Sequence, residues 1–168
     1  MKNVTRTKSI AIMGLFVSFA VMLSFLERLL PSPVPLPGVK LGLANIIVII
    51  FLYRYGIKEA AKVQILRILL FSVLFGGIGS AMYSFAGGML SLGVMALFKR
   101  INIFSVIGVS VIGGVFHNVG QIAVAAAVVQ SAGLFGYLPV LIISGEITGF
   151  ATGLVAFFVL SRLDKAGI

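Results

Sequence analysis

The side chains able to do chemistry are few, and they stand in apolar surroundings. Arg67, His117 and Glu146 lie within long uncharged or nearly uncharged runs. An ionisable group at that depth costs about 2.5–3.5 kcal/mol on insertion scales, so each marks function by default. Polar neighbours accompany them: Gln64 precedes Arg67 by one helical turn, and Asn118 and Gln121 follow His117. His117 and Gln121 are spaced i,i+4 and share a helix face. Lys40 and Asn45 stand at the start of another apolar run. Lys40, Asn45, Arg67, His117, Asn118, Gln121 and Glu146 are therefore the candidate substrate-binding set. Lys40 and Arg67 would attract an anionic group and the others would supply hydrogen bonds. The plainer alternative makes Arg67 and Glu146 a buried ion pair that fixes helix packing. In that reading Asn118 and Gln121 are interhelical hydrogen bonds worth about 0.6 kcal/mol each.

Several chemistries lack their residues. The chain has no Cys and one His, so no thiolate nucleophile exists and no metal site is expected. The carboxylates Glu27, Glu59, Glu146 and Asp164 are scattered, whereas magnesium-dependent diphosphate chemistry needs them clustered. No phosphate-cradling G-x-x-x-x-G-K-[ST] string, G-x-S-x-G elbow or H-E-x-x-H helix occurs. No catalytic residue is assigned, and work against a gradient would need an ion or a partner that hydrolyses ATP.

The elements that must position these groups follow from composition. Of the 168 residues 60% are hydrophobic and 10% charged, with a mean hydropathy of +1.20. Soluble domains run at about 45–50% apolar and about 25% charged, so this chain is expected to be solvated by lipid. The net charge of +9 is read as loops facing the cytoplasm rather than as a nucleic-acid surface. A span needs about 20 apolar residues. Helices are expected over 9–26, over 41–53, from about 58 through Arg67 to the glycines at 76–79, over 80–98, over 104–130 and over 137–160. Pro139 would fall in a first turn, where its missing N–H costs little. After the first run come Glu27, Arg28 and a proline segment at 31–37, read as an outer loop that is stiff because each Pro fixes φ.

With the N-terminus inside, Lys2, Arg6, Lys8, Arg54, Lys58, Lys62, Lys99, Arg100, Arg162 and Lys165 gather at cytoplasmic ends, and only Arg28 and Lys40 lie outside. Tyr53 and Tyr55 fall at inner ends and Tyr83 and Tyr137 at outer ends, as an aromatic belt requires. The expected architecture is an all-α six-helix membrane bundle, N-in and C-in, forming one domain over 1–168. Its polar groups would converge on a pocket open to the outside. Gly14 and Ser18, Ala20 and Ser24, Gly113 and Gly114, and the alanines of 123–127 form small-residue stripes that permit close helix approach. Those on the first helix are candidates for docking another helix or a partner subunit.

The strings Pro37-Gly-Val-Lys-Leu-Gly-Leu-Ala-Asn45 and His117-Asn-Val-Gly-Gln121, with Gly87-Gly-Met-Leu-Ser91 and Val106-Ile-Gly-Val-Ser110 between them, resemble those of the bacterial family labelled heptaprenyl diphosphate synthase component I, or Gx transporters. The resemblance covers nearly the whole chain. It implies a multi-pass protein of the bacterial cytoplasmic membrane linked to the prenyl tail of menaquinone. The family is similar in size, span count and orientation to the substrate-binding S components of energy-coupling-factor transporters. That likeness implies uptake of a small molecule and docking, through small residues of helix one, on an ATP-hydrolysing module or another membrane subunit. Gly14, Ser18, Ala20 and Ser24 are the nearest counterparts. Relatives in flavin-linked extracellular electron transfer imply a quinone or flavin as the cofactor, if one is held. Three readings stand open: a binding subunit, an accessory subunit of isoprenoid synthesis, and an electron-transfer component.

Overall fold

The computed structural model describes residues 6–30 and 42–166. The proline segment 31–37 and Lys40 lie outside the described residues. The described chain is all-helical: α1 (Arg6–Leu29), α2 (Asn45–Tyr55), α3 (Ile57–Phe71), α4 (Gly77–Ile101), α5 (Val106–Val129) and α6 (Leu138–Lys165), with a π-helical turn at Ser72–Gly76 and a 3-10 turn at Ala132–Tyr137. Four helical stretches are long and apolar enough to cross a membrane: Ile10–Leu29, Ile57–Ile101, Val106–Val129 and Ala132–Lys165. Their outward faces are apolar, with Val73 and Ile78 each 83% exposed. These features fit a membrane-embedded protein.

The stretch Ile57–Ile101 is two helices folded back on each other. Gly77 adopts φ +67°, a left-handed geometry that only glycine takes without strain, and the π-helical turn before it loosens the regular bonding. The arms then lie side by side, because the Gln64 amide of α3 reaches the Gly88 backbone of α4. Arg28 of α1 donates to the Phe75 carbonyl in this turn, and the Phe25 and Phe75 rings stand 5.0 Å apart. A second glycine turn, Gly56 at φ +88°, separates α2 from α3.

α2 is the hub of the core. Its string Ile46-Ile-Val-Ile-Ile-Phe-Leu52 is apolar on every side, as a helix surrounded by others must be. Val48, Ile49 and Phe51 are fully buried and pack with Val17 and Ala20 of α1, Ala60 and Val63 of α3, Met95 of α4 and Ala156 of α6. At 11 residues it is about 16 Å long. Its C-terminal carbonyls are closed from outside the helix, since Lys99 Nζ donates to Leu52 O at 2.6 Å and stands 4.9 Å from the Tyr53 ring.

The most extensive helix contact joins α5 to α6, backbone against backbone. A Cβ on Gly114 would come within 2.3 Å of the Gly145 carbonyl oxygen, and one on Gly149 within 2.7 Å of Val111 Cα. The expected pair Gly113 and Gly114 is thus divided: Gly114 meets Gly145 and Gly149 of the row Gly145, Gly149 and Gly153, one turn apart on α6, while Gly113 faces Met95 and Ser91 of α4. Ser110 and Thr152 hydrogen-bond across the seam at 3.0 Å. Pro139 lies in the first turn of α6, as expected.

Several boundaries differ: α2 starts at Asn45 rather than at 41 and α6 runs on to Lys165 rather than ending at 160, but the difference that moves a charged residue is in α1. The sequence reading ends the first helix at residue 26 and gives Glu27 to the outer loop. α1 instead runs on to Leu29, and Glu27 is buried at 4% exposure, because it continues the inward face of Val17, Ala20 and Ser24 at helical spacing. For the glycine seam, Gly114→Ala is expected to destabilise the detergent-solubilised protein by about 1–3 kcal/mol through overpacking. Gly14→Ala, in the interior of α1 at a site with nothing within 4 Å, should leave thermal unfolding unchanged or raise it slightly, and equal melting of the two variants would refute the backbone contact.

Candidate functional site

Arg67 lies about 15 Å along α3 from its start and is 3% exposed. Its Nη1 donates to Ser24 Oγ at 3.1 Å and its Nη2 to Gln64 Oε1 at 3.0 Å. Ser24 in turn donates to the Ala20 carbonyl at 3.0 Å, so its hydroxyl oxygen faces Arg67 as an acceptor. The nearby negative charge is Glu27, which acts electrostatically on the guanidinium and accepts the Gly42 N–H. Charge compensation therefore runs between α1 and α3.

Gly42 carries the contact onward. A Cβ there would stand 3.1 Å from Asn45 Nδ2 and 3.3 Å from His117 Cδ2, so the start of α2 meets the middle of α5. On the other side, α4 offers Gly87 and Gly88. A Cβ on Gly87 would lie 2.5 Å from the His117 carbonyl oxygen and 2.7 Å from Gln121 Cγ, and one on Gly88 would lie 1.8 Å from Gln64 Nε2. The contacts run from Arg67 to Gln64, across Gly88 and Gly87 to Gln121 and His117, and through Gly42 to Asn45 and Glu27, whose charge acts back on Arg67 and so completes a circuit. Gln64, His117 and Gln121 are at most 2% exposed.

Within this circuit Asn45 Oδ1, Gln64 Nε2 and Arg67 Nε are buried with no hydrogen-bond partner among the described residues. A buried polar atom left so costs about 1–3 kcal/mol. The atoms are of both kinds, acceptor and donor, and the charges of Glu27 and Arg67 oppose each other. The chemistry matches a polar molecule that both donates and accepts hydrogen bonds.

Of the sequence-derived set, Asn45, Arg67, His117 and Gln121 are brought together. Asn118 is buried but turned toward α6, where its Nδ2 donates to the Leu141 carbonyl at 2.7 Å. Glu146 is not in the cluster. It is exposed on α6 beside Ile143 and Ile147, because the inward face of that helix is taken by Leu141, Gly145 and Gly149. The reading of Arg67 and Glu146 as an ion pair is corrected accordingly, since the carboxylate acting on Arg67 is that of Glu27. The small-residue set on α1 divides likewise. Gly14 and Ser18 are exposed and open to a neighbour, whereas Ala20 and Ser24 are buried inside the bundle and closed to one.

Sequence reasoning missed Glu27 and did not use Gly87 and Gly88. The spacing of Val17, Ala20, Ser24 and Glu27 at i, i+3, i+7 and i+10 contained the signal, because it continues a single helix face past the apolar run. A buried charge deprived of the opposite charge that acts on it is strongly disfavoured, and removing both charges restores part of the loss. Glu27→Gln and Arg67→Gln should therefore each destabilise strongly and couple in a double-mutant cycle of thermal unfolding. The cycle with Glu146→Gln in place of Glu27→Gln should be additive, and the reverse pattern would overturn the pairing.

No curated protein and no solved structure matches this chain. A family model described as heptaprenyl diphosphate synthase component I matches residues 16–159. That match covers most of the chain, including α2 to α5 and the residues of the polar circuit, and the protein belongs to the heptaprenyl diphosphate synthase component I family.

Proposed function

We propose that this protein is a substrate-binding integral membrane subunit of S-component type, which takes up a small polar molecule from outside the cell. The single observation that supports this reading is the buried circuit around Arg67, in which polar atoms of Asn45, Gln64 and Arg67 have no hydrogen-bond partner among the described residues. Helix packing alone is served by matched pairs, as Ser110 and Thr152 are matched, and a set holding open donors and acceptors is better suited to a ligand. Asn45, His117 and Gln121 would read its hydrogen bonds, while Arg67, held by Ser24 and Gln64 and balanced by Glu27, would bear its most electron-rich group. Lys40, outside the described residues, is proposed as a further cation for the ligand. Asn118, turned toward α6, would support the seam behind the site, and the exposed Glu146 has no part in it.

In this reading the chain forms one transmembrane domain over 1–168, with six passes, N-in and C-in, in the bacterial cytoplasmic membrane, the short α2 forming the helical part of the second. The distribution of Arg54, Lys58, Lys62, Lys99, Arg100, Arg162 and Lys165 at one set of helix ends supports it. Gly14 and Ser18, exposed on α1, offer a small-residue contact for an energising module.

The second reading is favoured by the family description, which implies a partner synthase component. Here the chain is a membrane accessory subunit of prenyl diphosphate synthesis, and a separate subunit performs the reaction. Native mass spectrometry with small-molecule extraction, on protein purified gently from membranes, separates the two. A stoichiometric polar molecule is expected, and it should be lost in Asn45→Ala/His117→Ala and weakened in the milder His117→Gln, with the helical melting profile kept. Retention of the molecule in both folded variants would remove these residues from the site, and extraction of a prenyl diphosphate or quinone would select the second reading. For the topology, the absence of cysteine permits single-site labelling. Ile103→Cys should resist an impermeant maleimide in intact cells and Ala132→Cys should react, and the opposite result would reverse the orientation.

A further inference from the structure

At the helix ends that carry most of the basic residues, α4 presents an outward trough. Gly93 is exposed, with nothing within 4 Å of where a Cβ would be, and Ala96, one turn on, is short. Between them and the α2–α3 turn lies a cleft of about 370 Å³ whose lining includes Leu52, Ile57, Leu97, Lys99 and Arg100. Ile57 and Leu97 are 47% and 56% exposed, so the floor is apolar and opens sideways, toward lipid.

The rim is cationic, and its counter-charges are engaged elsewhere. Of the carboxylates near this end, Glu59 pairs with Lys62 at 2.8 Å and Asp164 with Arg54 at 3.0 Å. Arg100 and Lys58 are exposed and make no ion pair among the described residues. Lys99 directs its Nζ to the Leu52 and Tyr53 carbonyls, fixing a third positive charge at the mouth. α3 also begins here, at Ile57, with no side-chain cap on its first N–H groups, and that end of a helix favours an anion.

We propose that this trough is a binding site for an anionic phospholipid of the adjoining leaflet. One acyl chain lies along Gly93, Ala96 and Leu97, and the phosphate meets Arg100, Lys58 and the start of α3. The charge pattern selects this occupant, because spare cations above an apolar channel complement an anionic head on an apolar tail. The site is separate from the polar circuit and independent of the ligand proposed there.

The test uses the full chain in detergent, offered equimolar phosphatidylglycerol and phosphatidylcholine and read by native mass spectrometry. One phosphatidylglycerol should be retained in preference. Arg100→Gln should weaken its retention about fivefold, from roughly one basic residue's worth of attraction to an anionic headgroup. Gly93→Leu, which fills open space, should eliminate it, while Arg162→Gln, on a different cleft, should leave it unchanged. Equal retention of the two lipids, retention unaffected by both trough variants, or an equal loss in Arg162→Gln would overturn the proposal. Displacement by equimolar farnesyl diphosphate would also overturn it and assign the trough to an isoprenoid diphosphate instead.

Discussion

A guanidinium held away from water in the middle of an apolar bundle sets the terms for much of this structure. Arg67 needs acceptors and a compensating charge, and its own helix supplies only one acceptor. α1 contributes Ser24 and Glu27, and α3 itself contributes Gln64. Meeting that need requires the C-terminal part of α1 to lie against α3, which Arg28 secures by binding the turn between α3 and α4. It also requires Glu27 to stay inside the helix, next to Gly42 at the approach to α2. In lipid, where apolar surfaces gain little by meeting each other, such polar demands and close backbone contacts do most of the organising.

The bundle divides its work accordingly. α5 and α6 are joined through glycine backbones with little side-chain bulk between them, and α4 joins them through Gly87, Gly113 and Gly120. These helices form a closely fitted wall. α1, α2 and α3 meet one another through bulkier side chains, such as Phe16 of α1 and Phe51 of α2, whose rings are 5.1 Å apart, and α3 meets the wall where Gln64 lies against Gly88. The polar circuit lies where the two groups face each other, so its geometry depends on both.

Much of this was legible from sequence, for reasons that differ by element. The helix breaks at Gly76–Gly77 and around residues 131–137 were visible because glycine interrupts an apolar run too long for one helix. His117 and Gln121 were visible because a polar pair at i,i+4 in such a run has few ordinary explanations. Glu27 was not, because a carboxylate next to Arg28 and a proline segment has the composition of a loop, and only the fold brings it to Arg67. Glu146 misled for the complementary reason. Its depth along α6 was clear, but one position of helical rotation from Gly145 decides whether it faces the bundle or the outside. Depth can be counted along a chain, whereas facing depends on which neighbour claims the adjacent residue.

The shortness of α2 has a consequence for access. Its C-terminal end is anchored by Lys99 at the level of the basic residues, and its first residue, Asn45, stands about 15 Å further in. That is half of a hydrocarbon layer about 30 Å thick. Under the proposed binding role, a polar solute arriving from the far side would reach Asn45 at mid-depth, before crossing the full apolar thickness. The remaining half of the path is filled by the buried aliphatic column of α2 itself, which acts as a floor. Under the proposed uptake role, release toward the other side would require that column to tilt or withdraw, so cargo would pass only when the hub of the core itself is moved.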